Sequence, residues 1–319
     1  MKENEARKRR GLHQIALVAL FMVGNTLLRF PWTNAEAGVT VSFLLSGIAA
    51  IVASLAVYAI ARFFFRRQLH GNLPRILSAA GFAVVTGAVA WCCAARSAGD
   101  MVQFMKDLLL PSGTVIPFSV LFLLAAALLA RIPRRGIDLF ALLGYVAVTV
   151  AVGVLFLRGT PQFRAEYGKF EIPTLGAVGK SLVRLLSETV LPMLPLAVYL
   201  ALSAPAPRQN SVSRPLAVGV VAGFGLMFLC ALQTLLTFGA PYAATLSYPY
   251  LRAVRVVSVG QYAFRPELIS YVLDYVATLV RTAICLACLR RLIGRFLPRV
   301  GRPVPIVGAI GIFIYLYLR

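Results

Sequence analysis

The 319-residue chain is short of histidine, acid and charge in general. Its two histidines, His13 and His70, exclude an HExxH site or a cluster of imidazole ligands around a metal. No GxSxG, no GxxxxGK[ST] and no GxGxxG after a strand is present. Without a nucleophile–base or metal constellation, the chain is expected not to be an enzyme and to carry no cofactor. The five cysteines, Cys92, Cys93, Cys230, Cys285 and Cys288, all lie in apolar stretches, where they serve as small apolar residues. Charged residues make up 13% and apolar residues 60%, with a mean hydropathy of +0.82. A soluble chain has about 45–50% apolar and about 25% charged residues. A soluble domain with this composition has too little polar surface to cover its core, so the sequence reads as an all-α, polytopic transmembrane helix bundle.

What charge there is has one sign: 32 Lys and Arg against 11 Asp and Glu, a formal net charge of +21. In a soluble protein that excess points to nucleic acid; in a membrane protein it marks loops. A span needs roughly 20 mainly apolar residues. Nine runs qualify, at 12–30, 38–61, 79–110, 115–130, 137–157, 178–202, 216–239, 266–289 and 304–318. With the N-terminus inside, alternate segments hold nineteen bases on the cytoplasmic side and nine outside, counting Lys106 and Lys180 at the outer ends of spans three and six, with four (Arg29, Arg96, Arg184, Arg281) deeper inside spans. The basic balance is therefore topology, and no nucleic-acid partner is expected. Residues 1–11 form a basic cytoplasmic N-terminus, and 12–318 a single transmembrane domain. The basic start, the apolar run and Ala35-Glu36-Ala37 imitate a secretory signal, but the long apolar stretch and the spans that follow favour an uncleaved first span.

Two spans carry breaks. The first is interrupted by Gly24-Asn25-Thr26, with Arg29 and Pro31 close behind. Unwound backbone at membrane depth survives only where it is buried in protein or lines a cavity. Amides of a half-helix starting near Leu27 suit a ligand carboxylate, and carbonyls near Val23 suit an ammonium or cation. The alternative is a simple kink at the outer interface. The sixth span holds Arg184, Ser187, Glu188 and Thr189, then Pro192 and Pro195. Breaks in spans one and six match a five-plus-five inverted repeat, here about 12–157 and 178–318. Arg96 with Asp100 in span three, and Asp274 with Arg281 in span eight, are intramembrane charges that serve either helix association or ligand and proton handling. The candidate ligand-binding set is Gly24, Asn25, Thr26, Arg96, Asp100, Ser187, Glu188, Thr189 and Asp274. Gly219-x-x-x-Gly223 in span seven is a helix-packing signal. The segment Tyr248–Gly260 predicts a short amphipathic helix in the outer interface, with Arg252 and Arg255 on its polar side.

Several motifs carry a resemblance. Gly24-Asn25-Thr26-Leu27-Leu28-Arg29-Phe30-Pro31 with Ala37-Gly38, Leu109-Leu110-Pro111 with Thr114, and Gly136-Ile137-Asp138 are three of them. The most specific is Tyr248-Pro249, then Val254-Arg255-Val256-Val257-Ser258-Val259-Gly260 and Arg265-Pro266-Glu267. Together they make the chain similar to the endospore germination permeases, the B subunits of nutrient germinant receptors, within the amino acid–polyamine–organocation transporter superfamily. That family usually has a Trp soon after the Ala-Gly of the first loop and ten helices; here Val39-Thr40-Val41-Ser42 has no Trp, and nine spans are found. The resemblance implies a multi-pass protein of the spore inner membrane. It implies binding of a small nutrient such as an amino acid, and association with an A-type membrane subunit and a C-type lipoprotein. A secondary active transporter of amino acids or related solutes is the alternative.

Overall fold

The computed structural model describes residues 2–24, 39–66, 73–108, 114–168, 176, 191–203, 213–257, 266–297 and 300–318, and these are helical apart from short turns. The helices are α1 (Lys2–Val23), α2 (Val39–Arg66), α3 (Leu73–Leu108), α4 (Ile116–Arg131), α5 (Arg134–Gly159), α6 (Leu191–Ser203), α7 (Ser213–Phe238), α8 (Ala240–Thr245), α9 (Pro249–Val256), α10 (Pro266–Phe296) and α11 (Val304–Leu318). Four are long and apolar enough to cross a membrane, over Ala80–Asp107, Arg134–Gln162, Arg214–Phe238 and Leu268–Arg295. Shorter apolar helices lie at Gly11–Val23, Gly47–Phe63, Ile116–Arg131, Leu191–Ser203 and Val304–Leu318. Each of the nine apolar runs in the sequence thus coincides with a helix, the sixth through its C-terminal half.

Local chemistry sets several of the ends. Pro133 disfavours helix at Ile132, which is extended (φ −63°, ψ 147°), so α4 stops at Arg131 and α5 starts anew at Arg134. Arg134 Nε then pairs with Asp138 at 3.4 Å across the first turn of α5. α7 ends at Gly239, whose φ of +76° is open to glycine and strained for other residues.

α10 is the axis of the bundle. It packs against α1, α3, α4, α5, α6, α9 and α11. Residues 281–289 of it are buried without interruption. A helix that is apolar all round belongs in such a position. Its Ala277, Ala283, Ala287, Cys285 and Cys288 are small, which lets neighbouring backbones approach. The second close seam joins α1 to α7. A Cβ on Gly219 would lie 2.6 Å from Val18 Cβ, and one on Gly223 2.8 Å from Met22 Cβ, so the Gly-x-x-x-Gly stripe is the surface on which α1 lies.

The ends assigned to one side of the membrane lie together. Arg290 Nη1 of α10 donates to the carbonyls of Ala130 and Arg131 at 3.2 and 3.0 Å, capping α4. Arg291 stacks 4.2 Å from the ring centre of Tyr199 in α6. His13, Arg134 and Arg291 all act electrostatically on Asp138. At the opposite end, Tyr248 Oη donates to Asp107 Oδ2 at 2.7 Å. There too Arg164 N donates to Leu236 O at 2.9 Å, and Ser119 Oγ meets Tyr317 Oη at 3.0 Å. These pairings join segments that the alternation of nine crossings puts on the same side.

One expectation changes. α9 forms within the stretch predicted, and Arg252 and Arg255 are exposed as expected. Its apolar face, however, does not point to lipid: Tyr250, Leu251, Ala253 and Val254 are buried against α7 and α10. Amphipathic spacing establishes that a face is covered and leaves open whether lipid or protein covers it.

Candidate functional site

α1 ends at Val23, seven residues before the sequence run does, and Gly24 forms a turn whose N–H still donates to Leu20 O at 3.0 Å. Gly24 is buried against the middle of α10. A Cβ there would lie 2.7 Å from the carbonyl oxygen of Ala277 and 3.3 Å from Arg281 Cβ, so only glycine allows the two backbones to touch. Arg281 is the middle residue of the 31-residue α10. The C-terminal end of α1, with its partial negative charge, therefore stops halfway along the central helix.

Arg281 meets that end. Its Nη1 donates to the carbonyl of Gly24, and its guanidinium lies 5.5 Å from the ring centre of Phe21 on the last turn of α1. The side chain is 6% exposed. Asp100 and Arg96, one helical turn apart on α3, lie within electrostatic reach of it. Asp274, two turns before Arg281, is 0% exposed. Thr278 Oγ1 donates to its Oδ2 at 3.4 Å, while its Oδ1 has no partner among the described residues. Arg281 and Asp100 act on it electrostatically. The hydroxyls of Tyr250 and Ser270, also buried and within reach of each other, continue the polar strip toward α9.

Of the residues singled out in the sequence, Gly24, Asp100, Asp274 and Arg96 gather around one point. Arg96 is exposed and Asp100 half-buried, so α3 presents its charges at the margin of the cluster and α10 at its centre. Asn25, Thr26, Ser187, Glu188 and Thr189 lie outside the described residues, as does Arg184. Arg281, read in the sequence as an intramembrane charge alongside Asp274, stands outside the candidate ligand-binding set, and nothing in the sequence hints that its partner is a carbonyl 257 positions away. Phe21 and Thr278 were likewise invisible among ordinary span residues.

Arg281 and Asp274, with Arg96 and Asp100 at their margin, thus place two guanidinium and two carboxyl groups within a helical membrane bundle, next to the end of a helix whose apolar stretch, Gly11–Val23, is short for a crossing. Such groups are costly at membrane depth and are kept where they bind or couple. This is a multi-pass helical membrane protein with a charged internal site. Its lineage is explicit: the spore permease family model, described as spore germination protein, matches residues 12–318, and the chain belongs to that family. It is a germination-related membrane protein. No curated protein matches the chain.

Proposed function

We propose that the chain is the B-type membrane subunit of a spore nutrient-germinant receptor. It binds a small nutrient, such as an amino acid, in a transporter-like site at the end of α1, and acts without catalysis. A single observation carries the reading: α1 terminates halfway along α10, beside Arg281, Asp274 and Asp100. A zwitterionic nutrient matches such a set, its carboxylate drawn to guanidinium groups and its ammonium to carboxylates. Binding biases the bundle between two arrangements through its differential affinity for them, which needs no net transport. In this reading the N-terminus is cytoplasmic, the membrane is the spore inner membrane, and the partners are an A-type membrane subunit and a C-type lipoprotein.

Secondary transport is the second reading, favoured by the buried Asp274 with its unpartnered oxygen, which suits a proton-linked carboxyl. Counterflow of labelled amino acids in proteoliposomes separates the two. The receptor reading expects saturable binding without accumulation; accumulation driven by a proton or sodium gradient would establish transport instead.

A further inference from the structure

The end of α1 presents a problem of electrostatics that has two solutions. The last carbonyls of a helix have no intrahelical donors and carry about half a negative charge between them. At mid-bundle no bulk water solvates them. Transporter-like bundles commonly place a free cation at such an end, held by backbone carbonyls and by oxygens of a neighbouring helix. A positively charged side chain serves equally, provided it reaches the carbonyls and is fixed there.

We propose that Arg281 is a tethered cation that stands in for a free sodium ion at the end of α1, so that the bundle holds this buried helix end without a coupling metal ion. Three observations meet here. The guanidinium donates to Gly24 O, the carbonyl just past the helix end. It is gripped a second time from the same turn by the face of Phe21, at 5.5 Å from the ring centre. The absence of a side chain on Gly24 lets the Ala277 carbonyl of α10 lie 2.7 Å from its ideal Cβ position, so α10 closes on the same residue whose carbonyl the guanidinium takes. The Thr278 hydroxyl lies on the next residue of α10 and is engaged with Asp274. A carbonyl at the end of a helix is the kind of oxygen that holds a free cation in such bundles, and here the charge it meets is covalently attached. Of the other charges facing it, Asp100 is negative and Arg96 positive, and Asp274 lies two turns away on the same helix. A second monovalent cation at this point would meet Arg281 at contact distance, which like-charge repulsion opposes. Arginine suits the task because it stays charged when buried and can donate to a carbonyl while stacking on a ring.

This assignment holds for a receptor and a transporter alike, because it concerns the resting bundle and not the nutrient. The test uses the full chain in lipid nanodiscs, with thermal unfolding followed in sodium, potassium and choline chloride at equal ionic strength. The wild-type Tm is expected to be the same in all three. Arg281→Ser replaces the guanidinium with one more hydroxyl oxygen; its Tm is expected to fall by several degrees in choline and to recover in sodium in a saturable manner. Arg281→Lys, which keeps the charge, is expected to remain indifferent to the salt and close to wild type. Should Arg281→Ser not fold, the wild type and Arg281→Lys decide. Selective stabilisation of the wild type by sodium, a folded Arg281→Ser that ignores sodium, or an Arg281→Lys as impaired as the serine variant would each overturn the proposal.

Discussion

Asp274 shows how much a single side chain can reveal at membrane depth. A carboxyl group that is wholly buried, with one oxygen held by Thr278 and the other unpaired among the described residues, is ill suited to be mere packing. Asparagine has the same shape, accepts from Thr278 equally well and carries no charge. Asp274→Asn is therefore expected to insert and fold like wild type, with a Tm equal or higher, while the nutrient concentration for half-maximal response shifts about tenfold or more, as loss of one charge-assisted contact implies. Purified-protein melting and spore germination curves check the two halves separately. A variant with an unchanged response would reduce Asp274 to helix glue. Arg281 differs from Asp274 in kind, because it acts on backbone, and backbone partners leave no trace in residue identities. For that reason the sequence pointed to Gly24, Asp100, Asp274 and Arg281 as separate features, yet did not show that the arginine reaches the end of α1.

At the scale of helices, the glycines of the bundle divide into those that are touched and those that are not. Gly219 and Gly223 lie on the α1–α7 seam, with Val18 Cβ and Met22 Cβ inside 3.0 Å of a would-be Cβ, whereas Gly225 has nothing within 4 Å. Gly219→Ala is expected to destabilise by about 1–3 kcal/mol through separation of α1 from α7. Gly225→Ala, on the same helix, is expected to stabilise by about 0.5–1 kcal/mol. Denaturation of the two variants in identical micelles tests the pair against each other. A Gly-x-x-x-Gly pattern is readable because small residues at a four-residue spacing have a direct steric meaning. The nine apolar runs were readable for a similar reason, since the lipid thickness fixes their length. The covering of α9 was not, because lipid and a neighbouring helix demand the same apolar face of it. The length of α1 was readable only in part: Gly24 marks the break, but its depth becomes clear only against the midpoint of α10.

Across the whole molecule, polar contacts tie the helix ends into two layers, with the side chains of Arg290, Arg291 and Arg134 at one end and those of Tyr248 and Asp107, with the backbone N–H of Arg164, at the other. Among the described residues, these pairings agree with the alternation of apolar runs and loops along the sequence. As a receptor subunit, the tagged chain extracted from spore inner membranes is expected to co-purify with an A-type membrane subunit and a C-type lipoprotein; recovery of the chain alone under the same mild extraction would favour an independent transporter. The central claim is that the nutrient site lies where α1 stops against α10, and Gly24→Ala tests it most directly, because even one methyl group would collide with the Ala277 carbonyl. Spores carrying that variant, with wild-type amounts of the protein in the membrane, are predicted to lose their germination response to the nutrient or to need at least tenfold more of it. A dose–response curve that superimposes on wild type would contradict the account.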